Sequence, residues 1–139
     1  MSFSNPPPEV IRDLLSRVKT VAVVGLSPKP DRPSHQVARA LKRFGYRIIP
    51  VRPGVAEVLG EKAYARLADV PEKIDLVDVF RAAEHLDDIV DECIRLGIPA
   101  IWIQEGIVNE AAAMRARAAG LLVVMDRCIY KDHVAHLGA

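Results

Sequence analysis

Apolar and polar positions along the chain switch between a strand period and a helix period, and each switch marks an element. Thr20 to Val24 is a nearly continuous apolar run closed by Gly25, the pattern of a parallel strand buried on both faces. Arg47 to Val51, Ile74 to Phe80, Ala100 to Ile103 and Leu121 to Met125 repeat it. Between them the spacing is helical. Val37, Leu41 and Phe44 share one face of a helix that Ser34 is expected to cap and Gly45 to stop. Leu86, Ile89, Val90, Cys93 and Ile94 form a second stripe closed by Gly97, and Asn109 is placed to cap a third helix ending at Gly120. Pro6, Pro7 and Pro8 lead into a helix over about 8–17, with Val10, Ile11, Leu14 and Leu15 on one face. A last helix is expected after Cys128. Pro53-Gly54 turns the chain, and from Val55 to Val70 the pattern predicts a loop around Gly60 and a short helical turn near Leu67.

Strands alternating with helices predict an α/β fold: a Rossmann-like, doubly wound parallel sheet in three α/β/α layers, forming one domain over 1–139. Composition narrows the function classes. The net charge of +1 gives no electrostatic footprint for nucleic acid or an anionic membrane surface, and no apolar run reaches membrane-spanning length. The start, MSFSNPPPEV, lacks the basic and apolar stretches of a secretory signal. Two cysteines make neither a disulfide framework nor a zinc cage, so the cytoplasm is the expected compartment. Abundant Ala, Arg, Leu and Pro with few Asn and Gln fit a thermophilic or a GC-rich source.

In a doubly wound sheet, ligands bind beyond the carboxyl ends of the strands, where the strand order reverses. The first loop there runs from Gly25 through Ser27, Pro28, Lys29 and Arg32 to Ser34. Glycine permits close backbone approach, the serines offer hydroxyls, Lys29 and Arg32 bring positive charge, and the following helix presents free N–H groups. The loop is therefore a candidate phosphate or pyrophosphate site; the alternative is a stiff connection in which Gly25 merely ends a strand. The dinucleotide fingerprint is absent, because Ser27 and Pro30 stand where glycines would be. The second strand ends Val51-Arg52-Pro53 rather than in the acid that holds an NAD ribose. Arg52 suits a ribose phosphate, as in NADP or coenzyme A, or is an ordinary exposed arginine. Glu105, in Ile103-Gln104-Glu105-Gly106, would repel a phosphate and is better suited to a hydroxyl, an amide or the local backbone.

Other reactive residues carry less. Cys93 belongs to an apolar stripe; Cys128 falls near the cleft without a neighbouring histidine to activate it. His35 starts a helix beside the phosphate loop, where it could meet a ligand, and His85 is expected at the surface. His133 and His136 lack partners at metal-ligand spacing. No metal site and no catalytic residue are assigned.

The segments Val21-Ala22-Val23-Val24-Gly25-Leu26-Ser27, Val51-Arg52-Pro53-Gly54 and Ile103-Gln104-Glu105-Gly106-Ile107, in that order and spacing, resemble the CoA-binding domain family. That domain is found at the N-terminus of the succinyl-CoA synthetase α subunit, and the chain looks most similar to the small stand-alone bacterial members. The resemblance covers about 15–135. It implies that coenzyme A or an acyl-CoA lies across the strand ends, against Gly25, Ser27 and Lys29, with Val51, Arg52 and Pro53 at the adenosine end. Phe80, Arg81 and Ala82, and then Ile103, Gln104 and Glu105, would supply further walls. Two departures stand out: Arg127-Cys128-Ile129-Tyr130 replaces the synthetase's Asn-Cys-Pro-Gly, and Val55 follows the Pro-Gly turn where a basic residue is common. The synthetase's phosphohistidine lies in a second domain beyond the span of this chain, so binding without ligase activity is implied, alone, as a homodimer or with a partner protein. An NAD(P)-binding redox regulator or small reductase, and an interaction module without ligand, are the alternatives. Convergence of Lys29, Arg32, Arg52 and Arg81 on one edge would disfavour the last.

Overall fold

Residues that alternate with period two along a strand must face opposite sides of a sheet, and here both sides are apolar. In the computed structural model, which describes residues 2–139, the strands β1 (Thr20–Val24), β2 (Arg47–Val51), β5 (Leu76–Val79), β6 (Ala100–Ile103) and β7 (Leu122–Met125) form one parallel sheet ordered β2-β1-β5-β6-β7. Met1 of the expected 1–139 domain lies outside the described residues. The sheet is five-stranded and Rossmann-like, as the alternation predicts.

Two cores sandwich it. Ala22, Val24, Val77, Val79, Ile101 and Ile103 face helices α3 (Leu86–Leu96) and α4 (Glu110–Ala118). Val21, Val23, Leu76, Trp102 and Val124 face α1 (Pro8–Arg17), α2 (Pro33–Arg43) and α5 (Ile129–Leu137). At about 25 cal/mol per Å² of apolar surface, burying one such side chain contributes about 1.5–3 kcal/mol, so the core sets the helix positions. The outer edge of β7 is closed by the Asn5 side chain, whose amide donates to Met125 O at 2.9 Å while its oxygen accepts from Met125 N at 2.8 Å. This satisfies edge groups that would otherwise invite another strand.

The chain differs locally from the pattern-based expectations. Helix α2 begins at Pro33 with Arg32 as its N-cap and no side-chain cap, so Ser34 is not the cap. Proline fixes the helical φ one residue earlier, and Ser34 Oγ instead accepts from Ser27 N at 3.0 Å. Ile94 is 37% exposed and leaves the expected α3 stripe. The loop around Gly60 contains a hairpin, β3 (Glu57–Val58) with β4 (Glu61–Lys62), turned by Leu59 and Gly60 at φ 56 and 76°, the backbone of a type I′ turn. The helical turn near Leu67 is present over Leu67–Asp69. Asn109 caps α4, its Oδ1 accepting from Ala112 N at 3.0 Å.

Candidate functional site

The strand order reverses at β1: the chain steps from β1 to β2 on one side and then crosses to β5 on the other. The crevice expected at such a switch opens beyond the ends of β1, β2 and β5, and two backbone bonds and one from a side chain knit its floor. Gly25 N donates to Val51 O at 2.9 Å, Phe80 N to Val24 O at 2.8 Å, and Arg52 Nη1 to Gly25 O at 3.3 Å. Gly25 has φ +88°, and a Cβ there would lie 2.6 Å from Phe80 O. The close approach that demands glycine is thus to the end of β5.

The loop after β1 is tightly built. Ser27 N is held by Ser34 Oγ, Lys29 N donates to Ser27 Oγ at 3.1 Å, and the His35 ring meets Ser27 O through Nδ1 at 3.0 Å. Ser27, Ser34 and His35 are all buried, so His35 shapes the loop from beneath. A hollow of about 410 Å³ lies above it, walled by Gly25, Ser27, Pro28, Lys29, Arg32, Pro33, Ser34, Arg52 and Phe80. Three of those side chains are cationic and none is acidic. Together with the amino end of α2, they give the hollow a positive field suited to an anion.

A second hollow of about 300 Å³ adjoins it across Pro33 and Phe80. Val37, Arg81, Ala82, Gln104, Glu105, Ile107 and Cys128 complete its wall. Its lining is largely apolar, which suits an uncharged chain rather than a phosphate. Gln104 fixes the adjoining turn, its Oε1 accepting from Ile129 N at 3.1 Å. Glu105 Oε1 accepts from Lys131 Nζ at 2.9 Å across the rim. Arg81 stands in this second hollow, while Lys29, Arg32 and Arg52 share the first.

Most of the sequence-predicted residues meet in these two hollows. Val51, Pro53 and Ile103 line neither: Val51 and Ile103 are packed in the α3/α4 core, and Pro53 is exposed on its turn. Pro33, Val37 and Ile107 are wall residues that sequence reasoning did not select. Val37 sits four residues after Pro33, so the helical period places them on one face and offered the signal. Among the described residues, no group of three or more His, Cys, Asp or Glu gathers as a metal site, and no helix is long and apolar enough to cross a membrane.

Two buried polar features lie on the α1/α2/α5 side. Asp78, in the middle strand β5, is fully buried between Val23 and Trp102 in the register, and neither carboxyl oxygen has a hydrogen-bond partner among the described residues. Burial raises its pKa well above the usual carboxylate range, because desolvation disfavours the charged form. Tyr46 donates its hydroxyl proton to Leu15 O at 2.6 Å, and the same oxygen lies 2.9 Å from His133 Nδ1. The hydroxyl has one proton and a carbonyl can only accept, so His133 Nδ1 carries the proton of that contact. Burial pushes the Tyr46 pKa up to about 12 and His133 below the ordinary histidine value.

Comparison with known proteins agrees with this geometry. The model of the CoA binding domain family matches residues 19–134. The protein YneT of Bacillus subtilis (strain 168) is 43% identical over 131 residues, which are 94% of this chain and 97% of that one. The ADP-forming acetate–CoA ligase II of Archaeoglobus fulgidus is 30% identical over 103 residues, but these are 72% of this chain and only 15% of the ligase. Among solved structures, a protein of Pyrococcus horikoshii OT3 superposes with a TM-score of 0.92 at 37% identity, covering 99% of this chain and 100% of that one. One from Thermus thermophilus gives 0.90 at 37% identity, over 95% of this chain and 100% of that one. With the family match spanning both hollows and every strand of the sheet, the chain belongs to the CoA binding domain family.

Proposed function

We propose that the protein binds coenzyme A or an acyl-CoA across the carboxyl ends of its strands. The observation that carries this reading is the pairing of two adjoining hollows, the first cationic and free of acids, the second largely apolar. Coenzyme A has that same division: phosphates at one end, a long uncharged arm toward the thiol at the other. Lys29, Arg32 and Arg52 would hold the phosphates, the Ser27 loop would give close backbone approach, and the arm would pass Phe80 toward Ala82, Ile107 and Cys128. Arg52 in place of an acid after β2 favours a phosphorylated ribose over that of NAD. The free thiols Cys93 and Cys128 fit a reducing, cytosolic setting. Ligase chemistry is no part of the proposal.

Calorimetric titration with coenzyme A, dephospho-CoA, NADH and NADPH tests it. Saturable binding is expected for coenzyme A and weaker binding for the dephospho form. Arg52→Glu should weaken coenzyme A by about tenfold, the size of a lost charge-assisted contact, and should weaken dephospho-CoA less. Preference for NADH or NADPH would transfer the protein to a redox role, and silence from all four would leave a module without this ligand.

A further inference from the structure

A third hollow, of about 400 Å³, opens between α2 and α5. Pro33, Val37 and Cys128 border both it and the apolar second hollow. The three therefore form a chain: a cationic end, an apolar middle, and a further compartment past the Cys128 thiol. That last compartment is again cationic. Arg39 and Arg43 from α2 and Lys131 from α5 line it, with no carboxylate among its wall residues. Among the described residues neither Arg39 nor Arg43 is held in an ion pair, whereas Lys131 is tied to Glu105 on the rim of the second hollow.

Resting on the coenzyme A reading, we propose that this third hollow receives the acyl group of a CoA thioester, and that the acyl chain it selects ends in a carboxylate. A ligand with its phosphates among Lys29, Arg32 and Arg52 and its arm over Phe80 carries its sulfur to the side where Cys128 stands. What lies beyond the sulfur enters the compartment of Arg39, Arg43 and Lys131. A neutral acyl chain would leave those cations as they are; a terminal carboxylate gains two unpaired guanidinium groups whose planar forks match it. Glu105 adds a gate of charge, since an entering carboxylate competes with it for Lys131.

The experiment compares two thioesters of equal chain length, glutaryl-CoA and pentanoyl-CoA, with coenzyme A itself, by calorimetry on the full chain at low and moderate salt. The wild type should bind glutaryl-CoA about fivefold more tightly than pentanoyl-CoA, the range of one or two exposed charge pairs, with the preference shrinking as salt rises. Replacing both exposed arginines, Arg39→Gln with Arg43→Gln, should bring the ratio close to one. Glu105→Gln should move the ratio the other way by releasing Lys131. Circular dichroism of each variant checks that it is folded. Equal affinity for the two thioesters in the wild type, or a preference that the arginine variant leaves intact, would overturn the acyl-group assignment while binding of coenzyme A keeps the parent reading. Failure of all three ligands to bind would overturn both.

Discussion

The two faces of the sheet are built to different rules. Against α3 and α4 the packing is apolar throughout, from Val77 and Ile101 to Leu86, Val90 and Ala113, and the one thiol there, Cys93, is pushed by burial to a pKa of about 12 and is inert. Against α1, α2 and α5 the core is broken by polar groups: Asp78, the Tyr46–His133 pair, and the Ser34 and His35 side chains under the first loop. The difference follows from topology. Pro33, Ser34 and Val37 of α2 and Cys128 at the start of α5 wall the cleft's two hollows, whereas no residue of α3 or α4 lines either, so the α2/α5 layer must both pack the sheet and shape a binding surface. The α3/α4 layer has only to pack. Stability and site are thus divided between the faces, and substitutions on each should report separately.

The largest effect is expected on the apolar face. Leu86→Ala should cost about 2–5 kcal/mol in urea unfolding through the cavity it leaves, with coenzyme A affinity of the folded protein kept within about twofold. A large affinity loss there would break the division. Next comes the seam between the faces. Gly25→Ala places a methyl against Phe80 O in a left-handed backbone, and should cost about 2–4 kcal/mol while also weakening the ligand.

Asp78 sharpens the contrast through pH. Its folded pKa is raised, so below the ordinary carboxylate range both states are protonated and it costs nothing electrostatic. As pH rises past that range the unfolded chain releases the proton and the fold does not, and stability falls by about 1.4 kcal/mol per pH unit up to the folded pKa. Asp78→Asn should abolish that slope, seen as urea midpoints that diverge from the wild type between weakly acidic and neutral pH. Parallel pH profiles would mean that the carboxyl is solvated or paired.

Tyr46→Phe strands His133 Nδ1–H and Leu15 O without their partner, and should cost about 1–3 kcal/mol by thermal unfolding. Loss below about 0.5 kcal/mol would show that water replaces the hydroxyl. The smallest stability effect is expected at Ser34→Ala, about 1 kcal/mol for the single hydrogen bond to Ser27 N. Its larger consequence should be looser binding of coenzyme A, because the first loop loses its tie to α2.

How much of this could be read in the sequence depends on the range of the interaction responsible. Continuous apolar runs placed β1, which Gly25 closes, and β6 within a residue, because burial on both faces leaves a strong local signature. Asn109 as a cap and Gly97 as a stop were legible for the same reason: each acts within one turn. The hairpin at 57–62 was not, since two-residue strands have no alternation to detect. Ser34 is instructive: its residue type fits a cap, but a partner at Ser27 claims its hydroxyl and Pro33 starts the helix first. In the cleft, the loops could be named from strand ends alone, which is why Lys29, Arg32 and Arg52 were selected together. Val51 and Ile103 entered only through the family resemblance, and the period of their strands turns their side chains into the core. The pairing of Tyr46 with His133 joins residues 87 positions apart and has no local trace. Asp78 interrupts an apolar strand visibly, but only the middle position of β5 shows that the acid is buried without a partner.

The most direct test of the central claim is a crystal structure of the protein soaked with or grown in coenzyme A. The account predicts the pyrophosphate within hydrogen-bond reach of the Ser27–Lys29 loop, Arg52 facing the ribose phosphate, and the arm crossing Phe80 toward Cys128. Ordered coenzyme A on another face of the sheet, with the hollow at Lys29, Arg32 and Arg52 left to solvent, would contradict it.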